Sequence, residues 1–278
     1  MLNHVYLPDW VNKAVPDYYT LFIQSWIPYN AWYNAVIAPF AGKTDRACID
    51  YICANTNAYK DKIISLLRAQ DEDGVLFRKD IANLHRALLA HTLPNAEQQI
   101  TFSTIKQGGI AGTVAQGNYF SFHYKVERIP STSGNENAYD ITVDENVTHV
   151  LKYSKHISNN QNFDVVETDP NFIHLSNTMR KKIREYFAKV NPNAPFDVVM
   201  PPVQRGGEPT QPPHSLCMDA KAHIYFVEDK DKLAQVLIRL IYRLRCELFH
   251  GSINPTLSNS VVYEYLYKVQ TRLIKELV

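Results

Sequence analysis

The stretch Leu233-Ala234-Gln235-Val236-Leu237-Ile238-Arg239-Leu240-Ile241-Tyr242-Arg243-Leu244-Arg245-Cys246-Glu247-Leu248-Phe249-His250-Gly251 decides how the chain is read. Leu233, Leu237, Leu240, Leu244 and Leu248 recur at three- and four-residue steps, so on a helix they form one apolar stripe that must face a core. Asp229 and Asp231 stand near the start, and Arg239, Arg243 and Arg245 lie toward the end. Gly251 followed by Pro255 supplies a stop, so charges and caps agree with the helix dipole. The end of this helix is also a small acid/base and anion-binding kit. A guanidinium holds a phosphate by two parallel hydrogen bonds, and an imidazole carries a proton near neutral pH. At about 100° per residue, His250 falls near Arg239 and Arg243 on one polar flank, while Arg245 projects from the other side of the leucines. On composition alone the arginines read as a solvated helix end and His250 as a C-capping side chain.

Working outward, Val262, Leu266, Val269, Leu273 and Leu277 predict a final helix after Pro255. Near the other end, Tyr19, Phe22, Trp26, Tyr33 and Ile37 share helical spacing and predict an aromatic stripe packed into a core. Residues up to about 92 read as helical, with Ala47, Tyr51 and Ile52 in a second segment and Phe77, Ile81, Leu84 and Leu88 in a third, closed by Pro94. The texture then changes. Ile100-Thr101-Phe102, the alternating Phe120, Phe122, Tyr124 and Val126, and Tyr139, Ile141 and Val143 predict strands, extended by the apolar run Val147 to Tyr153. Gly108-Gly109, Gly112, Gly117 and Ser133-Gly134-Asn135 read as turns between them. Helix returns after Ser176, with Met179, Ile183, Phe187 and Val190 inward and Arg180, Lys181, Lys182 and Arg184 outward. That basic face is either an RNA contact or an ordinary solvated helix surface. Pro201-Pro202, Arg205-Gly206-Gly207 and Gln211-Pro212-Pro213 predict a loop. The expected organisation is therefore α+β: helices over 1–97, a β-rich insert over 98–168, and a second helical part over 169–278.

The chain has 278 residues, with 29 basic against 28 acidic, so any nucleic-acid site must be a local patch and a histone-like role is disfavoured. Hydrophobic residues make up 45% of it, which is a folding composition sufficient for one large domain or two. Cys48, Cys53, Cys217 and Cys246 form no C-x-x-C pair, so neither a zinc cluster nor a disulfide framework is expected, and a reducing compartment fits. No basic-then-apolar leader opens the chain and no apolar run approaches roughly 18 residues, so a cytoplasmic protein without a membrane partner is expected. His149 and His156 read as structural or surface residues. Ala41-Gly42-Lys43-Thr44 ends like a phosphate-binding loop, but Ile37 stands where the upstream glycine belongs and the segment follows a helix. The glycines from Gly108 to Gly117 precede no helix whose N-terminus would take a pyrophosphate.

Arg245-Cys246-Glu247-Leu248-Phe249-His250-Gly251 resembles the Arg-x4-6-His motif of the HEPN family of helical RNases and RNA-associated domains. Arg245 aligns with the family's Arg and His250 with its His; Arg243 also meets a six-residue spacing and ranks second. Cys246 replaces the usual polar residue, and Glu247 offers a polar group next to it. The order helix, motif, short loop, helix matches, and Phe22 to Tyr33 looks like the aromatic first helix of some members. The resemblance implies a mainly helical HEPN-like bundle with the β-rich segment inserted, acting as a metal-independent endoribonuclease with no cofactor. The ribose 2′-hydroxyl would attack the adjacent phosphate, His250 would transfer the proton and Arg245 would stabilise the transition state, with Arg243, Glu247, Cys246 and Arg239 as supporting candidates. Its place at a helix C-terminus favours the protonated imidazole and hence the acid role. One His does not fill both roles, so a homodimer is implied, and it would relieve the separation of Arg245 and His250 on the helix. The family further implies a toxin–antitoxin or anti-phage defence effector, an RNA substrate and an antitoxin or other regulatory protein. The alternatives are a catalytically inactive HEPN-like module that binds RNA or a protein, and a helical interaction protein with no link to nucleic acid.

Overall fold

The computed structural model describes residues 14–42, 44–91, 99–108, 112–130, 137–158 and 163–277. The expected closure at Pro94 and the turns at Gly109 and Ser133-Gly134-Asn135 lie outside them. In chain order come helices α1 (Tyr18–Val36), α2 (Ala38–Ala41), α3 (Asp45–Ala54), α4 (Ala58–Arg68) and α5 (Glu72–Ala90). Strands β1 (Val114–Tyr119), β2 (Phe122–Pro130), β3 (Asn137–Glu145) and β4 (Leu151–Ile157) follow, then α6 (Asp164–Glu167), α7 (Pro170–Ile173) and α8 (Asn177–Val190). The short strands β5 (Val199–Met200), β6 (Val203–Arg205), β7 (Glu208–Thr210), β8 (Ser215–Asp219) and β9 (Ile224–Val227) lead to α9 (Lys230–Phe249) and α10 (Leu257–Ile274). The chain is thus mixed α and β, and it divides into two compact units: 1–105 with 196–278, and 106–195.

In the first unit each long helix begins on a side-chain cap. Asp17, Thr44, Asn57, Asp71, Asp229 and Thr256 accept from backbone N–H groups of α1, α3, α4, α5, α9 and α10 in turn. The expected stripes of α9 and α10 are buried: Leu233, Leu237, Leu240 and Leu244 on one, Val262, Leu266, Val269 and Leu273 on the other. Helix α10 packs against α1 and α5, and α9 packs against α3 and α4. The aromatic stripe of α1 is core, with Phe22, Trp26, Tyr29 and Tyr33 buried and Tyr263 of α10 against Phe22. Helix α4 lies within the stretch expected to be helical, with no stripe of its own named there, and buries Tyr59, Ile63, Leu66 and Leu67. Two expectations are corrected. Ile100-Thr101-Phe102 is a buried turn rather than a strand, closed by the Thr104 hydroxyl, which accepts from the Thr101 N–H at 2.9 Å. The proline- and glycine-rich segment near 201–213 is not all loop: β6 and β7 pair as a ribbon turned by Gly206 and Gly207 at positive φ. A small antiparallel sheet, ordered β5-β9-β8, lies against α5 and α9.

The second unit is an antiparallel meander, β1-β2-β3-β4, whose inner face packs on α8. Tyr124, Val126, Ile141, Val143, Tyr153 and Ile157 from the sheet meet Ile183, Phe187 and Val190. The β-rich segment therefore does not end at 168. It needs α8 to cover its apolar face, so the unit runs to Pro195 and the division falls after the helix. Gly117 is a strand residue of β1 rather than a turn, and a Cβ there would stand 2.6 Å from the Tyr186 hydroxyl. Phe120 and Val147 to Val150 lie in turns, Phe120 at φ 51°, so the strands begin after them.

Candidate functional site at the end of helix α9

Helix α9 ends in a Schellman motif. His250 is the C-cap, Gly251 takes φ 67°, the Gly251 N–H donates to the Leu248 carbonyl at 3.2 Å, and the Ser252 N–H donates to Glu247 at 2.9 Å. The cap is made by backbone groups. The His250 side chain is exposed, and no polar contact to its ring occurs among the described residues.

Arg245 is held. Its Nη2 lies 3.4 Å from Asp45 Oδ2 at the start of α3, and its guanidinium stands over Phe249 at 4.3 Å and Trp26 at 5.5 Å. Asp45 Oδ1 accepts from the Tyr33 hydroxyl at 2.9 Å, and Asn30 Nδ2 donates to that same hydroxyl. Burial, and then the bond to Asp45, raise the Tyr33 phenol well above its ordinary range, so it stays a neutral donor. The aromatic stripe of α1 is thus also the platform that orients Arg245. Arg245 Nε is buried without a partner among the described residues.

The other candidates divide. Arg243 is 56% exposed and pairs with Glu247 at 2.7 Å, the one-turn spacing expected on a helix. Arg239 does not share an open flank with His250. It is 7% exposed, its Nη1 bonds Asp50 Oδ1 at 2.6 Å, and Arg46 takes the other oxygen of Asp50 at 3.1 Å. The helical wheel missed this because α3 packs over that side of α9. Cys246 is partly buried beside Tyr242, whose phenol is pushed up to about 12 by burial and then by this neighbour. On α8, Lys182 pairs with Glu185 at 2.6 Å and lies over Tyr119 at 4.4 Å, while Arg184 pairs with Glu167 at 2.7 Å. Arg180 bonds Asn177, and Lys181 is exposed.

The fold therefore brings Arg243 to Glu247 and Arg245 to Asp45, Trp26 and Phe249. No polar contact joins Arg245 to His250 among the described residues. Asp45 and Tyr33 are the functional candidates that sequence reasoning missed. Asp45 at the first position of α3 reads as a residue answering the helix dipole, and nothing local ties it to an arginine far along the chain. Chemically, the end of α9 offers an exposed imidazole and an exposed guanidinium paired with Glu247, while the Arg245 guanidinium is held against Asp45, Trp26 and Phe249. Among the described residues no helix is long and apolar enough to cross a membrane, and no three His, Cys, Asp or Glu side chains form a group that could hold a metal ion. No protein-family model, curated protein or solved structure matches this chain.

Proposed function

We propose that the chain is a metal-independent endoribonuclease of HEPN type, built on a mainly helical HEPN-like bundle with the β-rich unit inserted. The observation that carries this reading is the placement of His250 on the exposed end of α9, its ring without a polar partner among the described residues, five residues beyond an arginine oriented by Asp45. In the reaction the ribose O2′ bonds to phosphorus as the P–O5′ bond breaks, and a proton passes from the 2′-hydroxyl to the leaving O5′. In this reading His250 serves as the acid that protonates the leaving O5′. Arg245, supported by Arg243, stabilises the charge on the phosphorane oxygens. A second copy of α9 across a twofold axis supplies the base, which makes the active species a homodimer. With this reading go a cytoplasmic setting, a toxin–antitoxin or anti-phage role, and restraint by an antitoxin or other regulatory protein. Lys181 and its basic neighbours Arg180, Lys182 and Arg184 are the RNA contacts it suggests on the other unit.

One observation favours a second reading. Arg245 is already neutralised by Asp45, which suits a catalytically inactive module that binds RNA or a protein. Purified chain and His250→Ala are incubated with total RNA and tRNA in EDTA, and fragment ends are mapped for 2′,3′-cyclic phosphate. Cleavage by the unmodified chain alone is the expected result. RNA bound equally by both and cut by neither would establish the binding module instead.

A further inference from the structure

The β1–β2 and β3–β4 turns stand side by side at one end of the sheet in residues 106–195. Asn146 joins them: its N–H donates to the Ser121 carbonyl at 2.8 Å and its Nδ2 to the Phe120 carbonyl at 2.9 Å. Both turns carry exposed apolar side chains. Phe120 is 79% exposed and Val147 86%, with Val150 and Leu151 more than half exposed beside them. We propose that this tip inserts into the headgroup region of an anionic phospholipid membrane. Composition shows no such partner, because the two turns meet only once the strands have paired.

Local structure does not account for the residues at the tip. Phe120 takes φ 51° and His149 φ 55°, in the left-handed region where glycine or asparagine fits and a bulky side chain is strained. Strain of this kind points to a use for the side chain that bears it. The Phe120 ring does not repay it by burial in the core; it meets Tyr119 at 4.6 Å between centroids and otherwise faces out. Asn146 fixes the turn, so the ring is presented from an ordered backbone.

The size and chemistry of the patch choose its occupant. The four side chains expose on the order of 400 Å² of apolar surface, well short of the roughly 800 Å² per partner of a stable protein interface. An RNA base would stack on Phe120 but gain little from the aliphatic Val147, Val150 and Leu151, which have no π face. Lipid accepts all four, since apolar side chains enter the boundary between headgroups and acyl chains without a shaped partner.

Charge selects the lipid. On α8 the Tyr186 hydroxyl lies against Gly117 and Lys182 stands over the Tyr119 ring at 4.4 Å, so the start of the helix is the end nearer the turns, and Arg180 and Lys181 precede Lys182 there. Arg180 bonds Asn177, Lys181 is exposed, and neither forms an ion pair among the described residues. The carboxylates at this end are engaged: Glu185 with Lys182 at 2.6 Å, Glu145 with the Thr148 hydroxyl at 2.6 Å and Lys152 at 3.8 Å, and Asp144 with His123 at 3.4 Å. Arg180 and Lys181 are therefore left to attract anionic headgroups. The same cations are the RNA contacts suggested above, so RNA is the rival occupant and an arm of the test.

The full chain is sedimented with vesicles of phosphatidylcholine alone and of equal parts phosphatidylcholine and phosphatidylserine. Gel shifts on single-stranded RNA run in parallel, in the His250→Ala background so that cleavage does not enter the readout. The mixed vesicles should be bound at least threefold more tightly than phosphatidylcholine alone. Phe120→Gly and Val147→Ser should each weaken that binding, Phe120→Gly at least tenfold, and Lys181→Glu should remove the preference for phosphatidylserine. Glycine suits φ 51° better than phenylalanine, so Phe120→Gly keeps the fold and its loss of binding belongs to the ring. No vesicle binding, equal binding to both compositions, or binding unchanged in Phe120→Gly would overturn the proposal. RNA binding that falls in Phe120→Gly while no vesicle is bound would make the tip a base-stacking platform. A concentration-dependent dimer lost in Phe120→Gly, again without vesicle binding, would make it a contact between copies, and either result overturns the membrane assignment.

Discussion

At the residue scale the question is what holds Arg245 while His250 stays exposed. The contact of Arg245 with Asp45 is partly exposed and 3.4 Å long, so its net contribution is modest. Asp45→Asn keeps a group that the Tyr33 hydroxyl can reach, and we expect it to lower stability in urea melts by about 1 kcal/mol. If Arg245 acts on phosphate and Asp45 orients it, the same substitution lowers RNA cleavage, whereas Arg245→Ala abolishes it. Unchanged cleavage in Asp45→Asn would instead show that the Trp26 and Phe249 rings suffice to hold the guanidinium. His250→Ala should change stability by no more than about 0.5 kcal/mol, because the ring is exposed and backbone groups make the cap. A large drop in the urea midpoint would show that the ring packs and would spoil the variant as a probe of chemistry. His250 and Arg245 were legible because a short motif at a helix end can be read locally. Asp45, Tyr33 and Trp26 were not, since only the packing of α1 and α3 around α9 brings them to Arg245.

At the scale of elements, the long helices were legible because five leucines, or four aromatics and an isoleucine, at helical spacing leave one burial solution. Helix α4, inside the stretch read as helical, shows no unbroken apolar stripe of its own because polar Lys60 sits in its buried face, where its ammonium bonds the Cys53 carbonyl at 2.8 Å and Asp231 at 2.6 Å. Strands β8 and β9 escaped because four or five residues hold too few alternations to show a period of two. Gly251 tests the end of α9. At φ 67° an alanine enters the left-handed region, so Gly251→Ala should cost about 1 kcal/mol in thermal or urea unfolding, and no loss would mean the helix end rearranges freely. On α5, His85 makes stability depend on pH. The unfolded imidazole titrates near about 6.5 and the folded one lower, so below that pH the unfolded chain takes up a proton that the native chain refuses. Stability is unaffected by this group above about pH 6.5 and declines as pH falls through that value. His85→Gln should show a shallower decline in urea midpoints between pH 7 and 5; parallel profiles would place the titration elsewhere.

At the scale of the whole molecule, the change of texture put the β-rich segment at 98–168, whereas the compact unit runs over 106–195: Ile100-Thr101-Phe102 belongs to the helical unit, and α8 reads locally like the other amphipathic helices. What assigns it to the sheet is tertiary, the meander's need for an apolar cover. The same contacts predict how the chain unfolds. Lys106 pairs with Pro195, the Gln107 N–H donates to Ala194 at 3.0 Å and the Gly108 N–H to Pro192 at 2.8 Å, so residues 106–195 begin and end side by side. Just outside, the Phe196 N–H donates to the Ile105 carbonyl at 3.0 Å, so the flanking chain is closed without the insert. Residues 106–195 expressed alone should therefore fold cooperatively on their own core, and the remainder should fold with 105 joined to 196 by a short Gly-Ser linker. Of the three tryptophans, Trp26 and Trp32 stand on α1, so in a Trp10→Phe variant tryptophan fluorescence follows only the helical unit, while far-UV circular dichroism follows both. Urea curves from the two probes should separate in the intact chain, the tryptophan curve matching the linked remainder and the residual dichroism matching the 106–195 fragment. Superimposed curves, with an isolated fragment that shows no transition, would mean that the insert borrows its stability from the helices and that the chain unfolds as one cooperative body.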